Sequence, residues 1–176
     1  ALQALEEDLI VSRTGREVAV ADPGLLLQKM EAGYRPPRIT RRLLGKCPPD
    51  RIEAVFAQRT DKSLNLVPTG RWSAQAYAAG ERSGPISLYC SNLNSFLALA
   101  GPDAFEEDEF FPDVELLETG DDTVYFDRRT RADGAYTWAS PIQSYLELMS
   151  GGEKRDREIA EQVRRAIVSR PWRGNA

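Results

Sequence analysis

The sequence WASPIQSYLELMSGGEKRDREIAEQVRRAI, residues 138–167, predicts two consecutive helices that close the fold. Ser140-Pro141-Ile142-Gln143 has the form of a capping box, in which serine accepts from the third helical N–H and glutamine reaches back to the cap. Proline suits the first helical position. Gly151-Gly152 ends this helix, and a charged second helix follows. The apolar faces of the two helices are formed by Ile142, Tyr145, Leu146 and Met149, and by Ile159, Val163, Ala166 and Ile167.

Length, composition and cysteine usage are those of an ordinary intracellular protein. The chain has 176 residues, 41% of them hydrophobic and 28% charged, which suits one domain or one domain with a small appendage. Cys47 and Cys90 lack the spacing of a metal site and predict two free thiols in a reducing cytoplasm. Apolar runs fall short of the ~20 residues that a membrane span needs, and we expect no secretory signal. The sequence therefore predicts a cytoplasmic protein.

The chain contains no histidine. Histidine is the commonest general base and the commonest neutral metal ligand, so the usual serine and cysteine triads are excluded and zinc sites nearly so. An enzyme built on this sequence would have to use carboxylates, lysine or tyrosine. We expect no catalytic residue, no cofactor and no metal ion.

Residues 1–21 predict the C-terminal part of a winged-helix domain. Residues 1–8 have the pattern of the last turns of a helix, and two short strands then flank Thr14-Gly15-Arg16, a hairpin signal. A helix end followed by a basic-tipped hairpin is typical of the third helix and the wing. In that interpretation Arg13 and Arg16 would contact DNA phosphates or the minor groove. The alternative is a plain hairpin packed on the main sheet.

Residues 22–176 predict an α+β domain with an α/β-like order of elements. Asp22 caps a first helix with Pro23 at its first position. Further strands are expected at 39–44, 64–67, 86–89, 114–117, 123–126 and 136–138, and further helices at 50–58, 70–79 and 92–99. Helices and strands alternate early and strands cluster late, which favours a mixed β-sheet packed with helices and ending in the helix pair.

Five short segments have sequences similar to motifs that occur together, in this order, in one family. They are Asp22-Pro23 with leucines 25–27, Tyr34-Arg35-Pro36, Thr69-Gly70 with Ala74 and Ala76, the strand-then-helix unit 86–99, and Ser140 to Leu148 in the form S-P-[LI]-Q-x-Y-L-[DE]-L. Together they resemble the AbiEi family, the antitoxins and transcriptional autoregulators of type IV (abortive-infection) toxin–antitoxin systems. Arg71-Trp72 departs from the pattern, because small or apolar residues are usual at that position.

The resemblance implies a function, an organisation and two partners. Residues 1–21 would complete a winged helix, mostly absent from this sequence, that binds promoter DNA of the operon, and residues 22–176 would form an α/β antitoxin domain without an active site. The toxin would be of nucleotidyltransferase type. Neutralisation in this family is not generally thought to require a stable toxin–antitoxin complex.

A basic stretch runs from Arg35 to Lys46, with five positive charges and no negative charge in a chain of net charge −4. Such a stretch can bind phosphates or the acidic face of a partner, and we take Arg38, Arg41 and Arg42 as its candidate nucleic-acid-binding residues. A solvated edge strand kept soluble by its arginines is the alternative.

Carboxylates cluster at residues 106–109, just before Phe110-Phe111-Pro112-Asp113. Metal-dependent nucleases place Pro-Asp before a Glu-x-Lys pair on a strand, but no lysine follows Glu115 at that spacing. Nucleotidyltransferases need two aspartates on one face of a strand, whereas Asp121 and Asp122 are adjacent and would point to opposite faces. We interpret the acidic segment as a solvated loop.

Two other functions stay open from the residues alone. One is a metal-dependent carboxylate enzyme, a nuclease or nucleotidyltransferase-like protein, which several carboxylates converging with an arginine or lysine in one cleft would favour. The other is a protein-interaction module that binds no nucleic acid. Trp172, beside Arg170, Pro171 and Arg173, is a candidate anchor for a partner, unless its ring folds back onto the domain.

Overall fold

The computed structural model describes residues 2–60, 63–78, 84–130 and 136–169. The helices in these ranges are α1 Leu2–Glu7, α2 Pro23–Gly33, α3 Pro49–Gln58, α4 Gly70–Ala74, α5 Leu93–Ala100, α6 Pro141–Gly151 and α7 Lys154–Val168. The strands are β1 Val11–Thr14, β2 Glu17–Val20, β3 Arg41–Lys46, β4 Leu66–Pro68, β5 Ile86–Cys90, β6 Glu106–Glu107, β7 Val114–Glu118, β8 Arg129–Thr130 and β9 Thr137–Trp138. The predicted α+β class is confirmed. Trp172 lies outside the described residues.

The main sheet has the strand order β4-β5-β7-β3-β6 within the described ranges. Strands β5 and β7 run parallel, with Ser87 opposite Glu115 and Tyr89 opposite Leu117, and the other neighbours are antiparallel. Successive side chains of a strand point to opposite faces. Ser87, Tyr89 and Glu115 therefore share one face of the sheet. The sheet is mixed, as the order of elements predicted.

Each face of the sheet is covered differently. One face packs against α3 and α5 in a core that includes Leu66, Leu88 and Leu116 from the strands and Ile52 and Phe96 from the helices. A second apolar cluster joins α2, α4, α6 and α7, the predicted terminal helix pair included. The other face of the sheet carries Val67, Tyr89 and Leu117, which pack with Val124, Tyr125 and Ala139. Apolar surface is thus buried on both sides of the sheet, and this burial is the main stabilising contribution to the fold.

The predicted helix starts are present, with one correction. The carboxylate of Asp22 accepts from the N–H of Leu25 at 2.8 Å, and the hydroxyl of Ser140 accepts from the N–H of Gln143 at 3.1 Å. The reciprocal half of the capping box is wrong, because the Gln143 side chain donates to Tyr34 and to a carboxylate in its own helix instead. A long polar side chain donates to the strongest acceptors within its reach. Here one acceptor belongs to the same helix, and the other, Tyr34, is brought beside Gln143 by the tertiary structure.

Three predicted elements are also corrected. Residues 122–125 form a 3-10 helix, not a strand, because the Asp121 carboxylate accepts from the N–H and the hydroxyl of Thr123 and turns the chain. Strand β3 begins at Arg41 rather than residue 39, since its pairing with β7 starts opposite Glu118. Helix α4 ends at Ala74, earlier than predicted.

The N-terminal hairpin forms a two-stranded sheet of its own, β1 with β2, following helix α1. Val20 at its end lies beside an apolar groove that Leu26, Ile142 and Ile167 of three helices also line. The hairpin thus meets the helical cluster. None of the helices in the described part of the chain combines the length and apolar composition that a bilayer crossing requires.

Candidate functional site

A carboxylate on α6 is the centre of the most elaborate polar cluster in the described structure. Because Ser140 fixes where α6 begins, Gln143 and Glu147 lie one turn apart on the same helical face. The Gln143 amide donates to Glu147 at 2.8 Å and also to the Tyr34 hydroxyl at 3.1 Å. Glu147 is only partly exposed, and it points toward the sheet face that carries Tyr89.

The start of α4 completes the hydrogen bonding of Glu147. Thr69 and Gly70 donate through the threonine hydroxyl and through the glycine N–H, the latter at 2.8 Å. Tyr89 of β5 lines the same hollow as Glu147. Burial raises the pKa of the Glu147 carboxyl, although these donors favour its charged form. Burial likewise raises the pKa of Tyr34 and Tyr89, so both phenols stay protonated.

A cleft opens above this cluster and consists of two adjoining hollows of about 220 and 200 Å³. The two hollows share Thr69, Ser87 and Glu115 in their walls. We call this space the Glu147 cleft. The larger hollow is lined by Tyr34, Pro36, Thr69, Gly70, Ser87, Tyr89, Glu115, Leu117, Glu147 and Ser150.

Glu115 is the second carboxylate of the Glu147 cleft. It accepts from Arg42 at 2.7 Å and from the Ser87 hydroxyl at 2.6 Å. Arg71, on the wall of the smaller hollow, pairs with Glu153 and Asp156 at the start of α7. The departure Arg71-Trp72 is therefore accommodated by ion pairs, and Trp72 packs partly buried against the main core.

An enzyme would be favoured by several carboxylates that converge with an arginine or lysine in one cleft, and the Glu147 cleft meets part of that condition. Two carboxylates and Arg71 line it, but Glu115 and Glu147 already accept hydrogen bonds from the protein itself. Among the described residues no group of three or more aspartate, glutamate or cysteine side chains could hold a metal ion. The arrangement is suited to holding elements together and to binding a polar group, and less to metal chemistry.

The positive side chains of the basic stretch do not form one continuous surface. Arg41 and Arg42 are neighbours on β3 and point to opposite faces. Arg41 lies 3.7 Å from Glu118, Arg42 lies 2.6 Å from Glu115, and Lys46 lies 3.0 Å from Asp108. Arg38 precedes the strand and is exposed. Strand β6 pairs with β3 at Gly45 and Lys46, and Arg41–Leu44 lie beyond that pairing.

The hairpin arginines lie apart from the basic stretch. Arg13 on β1 is 4.0 Å from Glu6 of α1, and Arg16 is exposed in the turn that joins β1 to β2. Both side chains are accessible to a nucleic-acid backbone. The structure thus pairs Arg42 with Glu115 of the Glu147 cleft, whereas Arg13, Arg16, Arg38 and Arg41 make no contact with the lining carboxylates Glu115 and Glu147.

The sequence interpretation missed Glu147, Glu115 and the two tyrosines as a cluster. A signal was present, because Thr69-Gly70, Tyr34 and the acidic position of the S-P-I-Q-x-Y-L-E-L segment all belong to the segments that carry the resemblance. Their meeting depends on contacts 77 or 78 residues apart along the chain. Neither a family model, a curated protein nor a solved structure matches this chain.

Proposed function

We propose that this chain is mainly the non-catalytic antitoxin domain of a transcriptional autoregulator of the AbiEi type. The supporting observation is the convergence at Glu147. The segments that carry the resemblance contribute Tyr34, Thr69-Gly70, Gln143 and Glu147, which join in one hydrogen-bonded cluster. Tyr89, from a further such segment, lines the Glu147 cleft beside them.

The cluster suits a role in positioning elements for a binding surface. A polar network with its donors and acceptors satisfied specifies one arrangement of the elements that share it. Here Glu147 ties α6 to the start of α4, and it lines the Glu147 cleft together with Tyr89 of β5. The absence of histidine and the engaged state of both carboxylates in the Glu147 cleft favour this role over the alternative metal-dependent enzyme.

DNA binding in this proposal belongs to the N-terminal region. The helix α1 and the hairpin β1–β2 would be the third helix and wing, with Arg13 and Arg16 on the phosphates. Arg41, Arg42 and Lys46 are neutralised by nearby carboxylates, so they would contribute less to promoter binding. Arg38 stays available as an accessory contact.

The experiment is a paired growth and reporter assay. The full-length protein should restore growth to cells that express the nucleotidyltransferase-type toxin encoded beside it, and it should repress a reporter that carries its own promoter. A variant with Arg13→Ala and Arg16→Ala should keep the rescue and lose repression. For this variant the slope of log K against log salt concentration in promoter binding should become less steep by up to the contribution of two phosphate contacts, about 0.9 each.

A matched arginine variant serves as the control. Arg41→Ala with Arg42→Ala removes the same charge from residues that already have carboxylate partners, so promoter binding should fall less. Absence of both rescue and repression by the wild-type protein would refute the proposed function. Magnesium-dependent phosphoryl or nucleotidyl transfer by the isolated chain would support the enzyme instead.

A further inference from the structure

The larger hollow of the Glu147 cleft contains a carboxylate that receives hydrogen bonds from neutral groups only. The donors to Glu147 are the Thr69 hydroxyl, the Gly70 N–H at 2.8 Å and the Gln143 amide at 2.8 Å. Such donors favour the charged form of a carboxylate, but they do not cancel its charge. Burial raises the pKa of the Glu147 carboxyl, because a buried charge without a positive partner is costly.

The other charged groups of the cleft already have partners of opposite sign. Arg42 pairs with Glu115 at 2.6 Å. Arg71, on the wall of the smaller hollow, pairs with two carboxylates at the start of α7. Within the described ranges no ion pair involves Glu147. A cation that entered the larger hollow would therefore meet a carboxylate that the described part of the chain leaves uncompensated.

One oxygen of Glu147 keeps an acceptor position for a further donor. Its Oε2 accepts from both Thr69 and Gly70. Its Oε1 accepts at hydrogen-bond distance from the Gln143 amide, and from no other group of the described residues. A carboxylate has about four lone-pair sites on its two oxygens, so Oε1 has room for one more hydrogen bond.

The two tyrosines of the hollow are under the influence of the same negative charge. Burial, and after it the charge of Glu147, raises the pKa of Tyr34 and of Tyr89. For Tyr34 the charge of Asp121 adds to the effect. Carboxylates raise the pKa of a phenol by making the local potential negative. A negative potential inside a cleft with low-dielectric walls attracts cations.

The walls of the larger hollow combine apolar surface with a few hydroxyl groups. Pro36, Leu117 and the two tyrosine rings provide the apolar part, and Ser87 and Ser150 provide hydroxyls. Apolar walls with a small number of placed polar groups are typical of small-molecule sites. The hollow has a volume of about 220 Å³ and adjoins the second one, which suits a compact molecule.

The positions of donors and carboxylates argue against two other kinds of ligand. An anion would need donors, but the Gly70 N–H already donates to Glu147 and Arg71 is already paired. A metal ion would need more ligands, and the part of the chain that the structure describes holds no group of three or more suitable side chains.

We propose that the Glu147 cleft binds a small primary amine, whose ammonium group donates to Oε1 of Glu147 and whose apolar body packs against Pro36 and Leu117. An alkyl ammonium group is charged at pH 7 and has three N–H donors, so the hydroxyl oxygens of the hollow serve as its further acceptors. The site joins residues of α6, β5 and β7, and its occupation stabilises the folded chain. The amine site holds or fails independently of the proposed function.

Calorimetric titration of the whole chain with 2-phenylethylamine tests the proposal. We expect a dissociation constant of about 1 mM or below for a ligand of this size, and a higher melting temperature in its presence. The matched alcohol, 2-phenylethanol, keeps the apolar body and lacks the charge, so it should bind at least about tenfold more weakly. The trimethylammonium analogue keeps the charge but has no N–H donor, and it should also bind at least about tenfold more weakly.

Glu147→Gln removes the negative charge and keeps the shape of the side chain. It should weaken 2-phenylethylamine binding by about tenfold or more, while circular dichroism shows that the variant is folded. Glu158→Gln is the matched control, because Glu158 is an exposed glutamate on α7, and it should bind the amine as the wild type does.

The ligand series on the wild type decides the question even where Glu147→Gln does not fold. Absence of amine binding at millimolar concentrations, or equal affinities for the amine, the alcohol and the trimethylammonium analogue, would overturn the proposal. So would unchanged amine affinity in folded Glu147→Gln, or inorganic phosphate binding more tightly than the amine.

Discussion

Replacing Glu147 by alanine is the most direct perturbation of the hydrogen-bonded cluster. The substitution removes the acceptor for the Thr69 hydroxyl, the Gly70 N–H and the Gln143 amide. The Thr69 hydroxyl can rotate and the Gln143 amide still donates to Tyr34, but the Gly70 N–H is fixed by the backbone. An orphaned donor costs about 1–3 kcal/mol, and each weakened hydrogen bond about 0.5–1.5 kcal/mol.

We therefore expect Glu147→Ala to lower the free energy of unfolding by about 3 kcal/mol. For a chain of this size that corresponds to a fall in the melting temperature of about 6–12 °C. Chemical denaturation followed by circular dichroism measures the free energy, and differential scanning calorimetry measures the melting temperature.

Glu158→Ala is the matched control for this measurement. Glu158 is exposed on α7 and lies 3.9 Å from Lys154, so its loss should cost no more than about 0.5 kcal/mol. A cost for Glu147→Ala below about 1 kcal/mol, or one equal to that of the control, would mean that the three donors are not held by this carboxylate in solution.

Three further tests address separate parts of the structure. Burial raises the folded-state pKa of Glu147, so the folded protein binds that proton more tightly than the unfolded chain does. As the pH falls from 7 through that raised pKa to about 4.3, the ordinary pKa of a glutamate, the free energy of unfolding of the wild type should rise relative to that of Glu147→Gln. Denaturant titrations measure this difference, and the opposite trend would show that the hydrogen-bond donors outweigh burial. Ser140→Ala should cost about 1 kcal/mol through the lost helix cap, and an unchanged unfolding midpoint would contradict that cap. Burial raises the pKa of Cys47 to about 11 and of Cys90 to about 12, so both thiols should react with a thiol reagent at pH 8 at least about 100-fold faster after denaturation than before it. Rapid labelling of the native protein would contradict their burial.

The sequence by itself predicted what local chemistry controls. Asp22 and Ser140 accept hydrogen bonds from nearby N–H groups, and Gly152 ends α6 with a φ of 76°. These contacts span a few residues, so residue type and spacing are sufficient to predict them. The α+β class followed from the same local signals taken in order. The strand predicted at 123–126 is wrong because the side chain of Asp121, two residues earlier, accepts from Thr123 and turns the chain.

Only the tertiary structure decided which polar groups meet. Glu147 accepts hydrogen bonds from residues 77 and 78 positions earlier in the chain. Arg42 donates to Glu115, which lies 73 positions later. Such pairs depend on strand register and on how α6 packs against α4, which no local pattern encodes. The same register separates Arg41 from Arg42 and gives each a carboxylate partner, so a stretch that is uniformly basic in sequence is locally neutralised in space. Charge along a chain is a one-dimensional property, whereas binding depends on the charge that remains at a surface after folding.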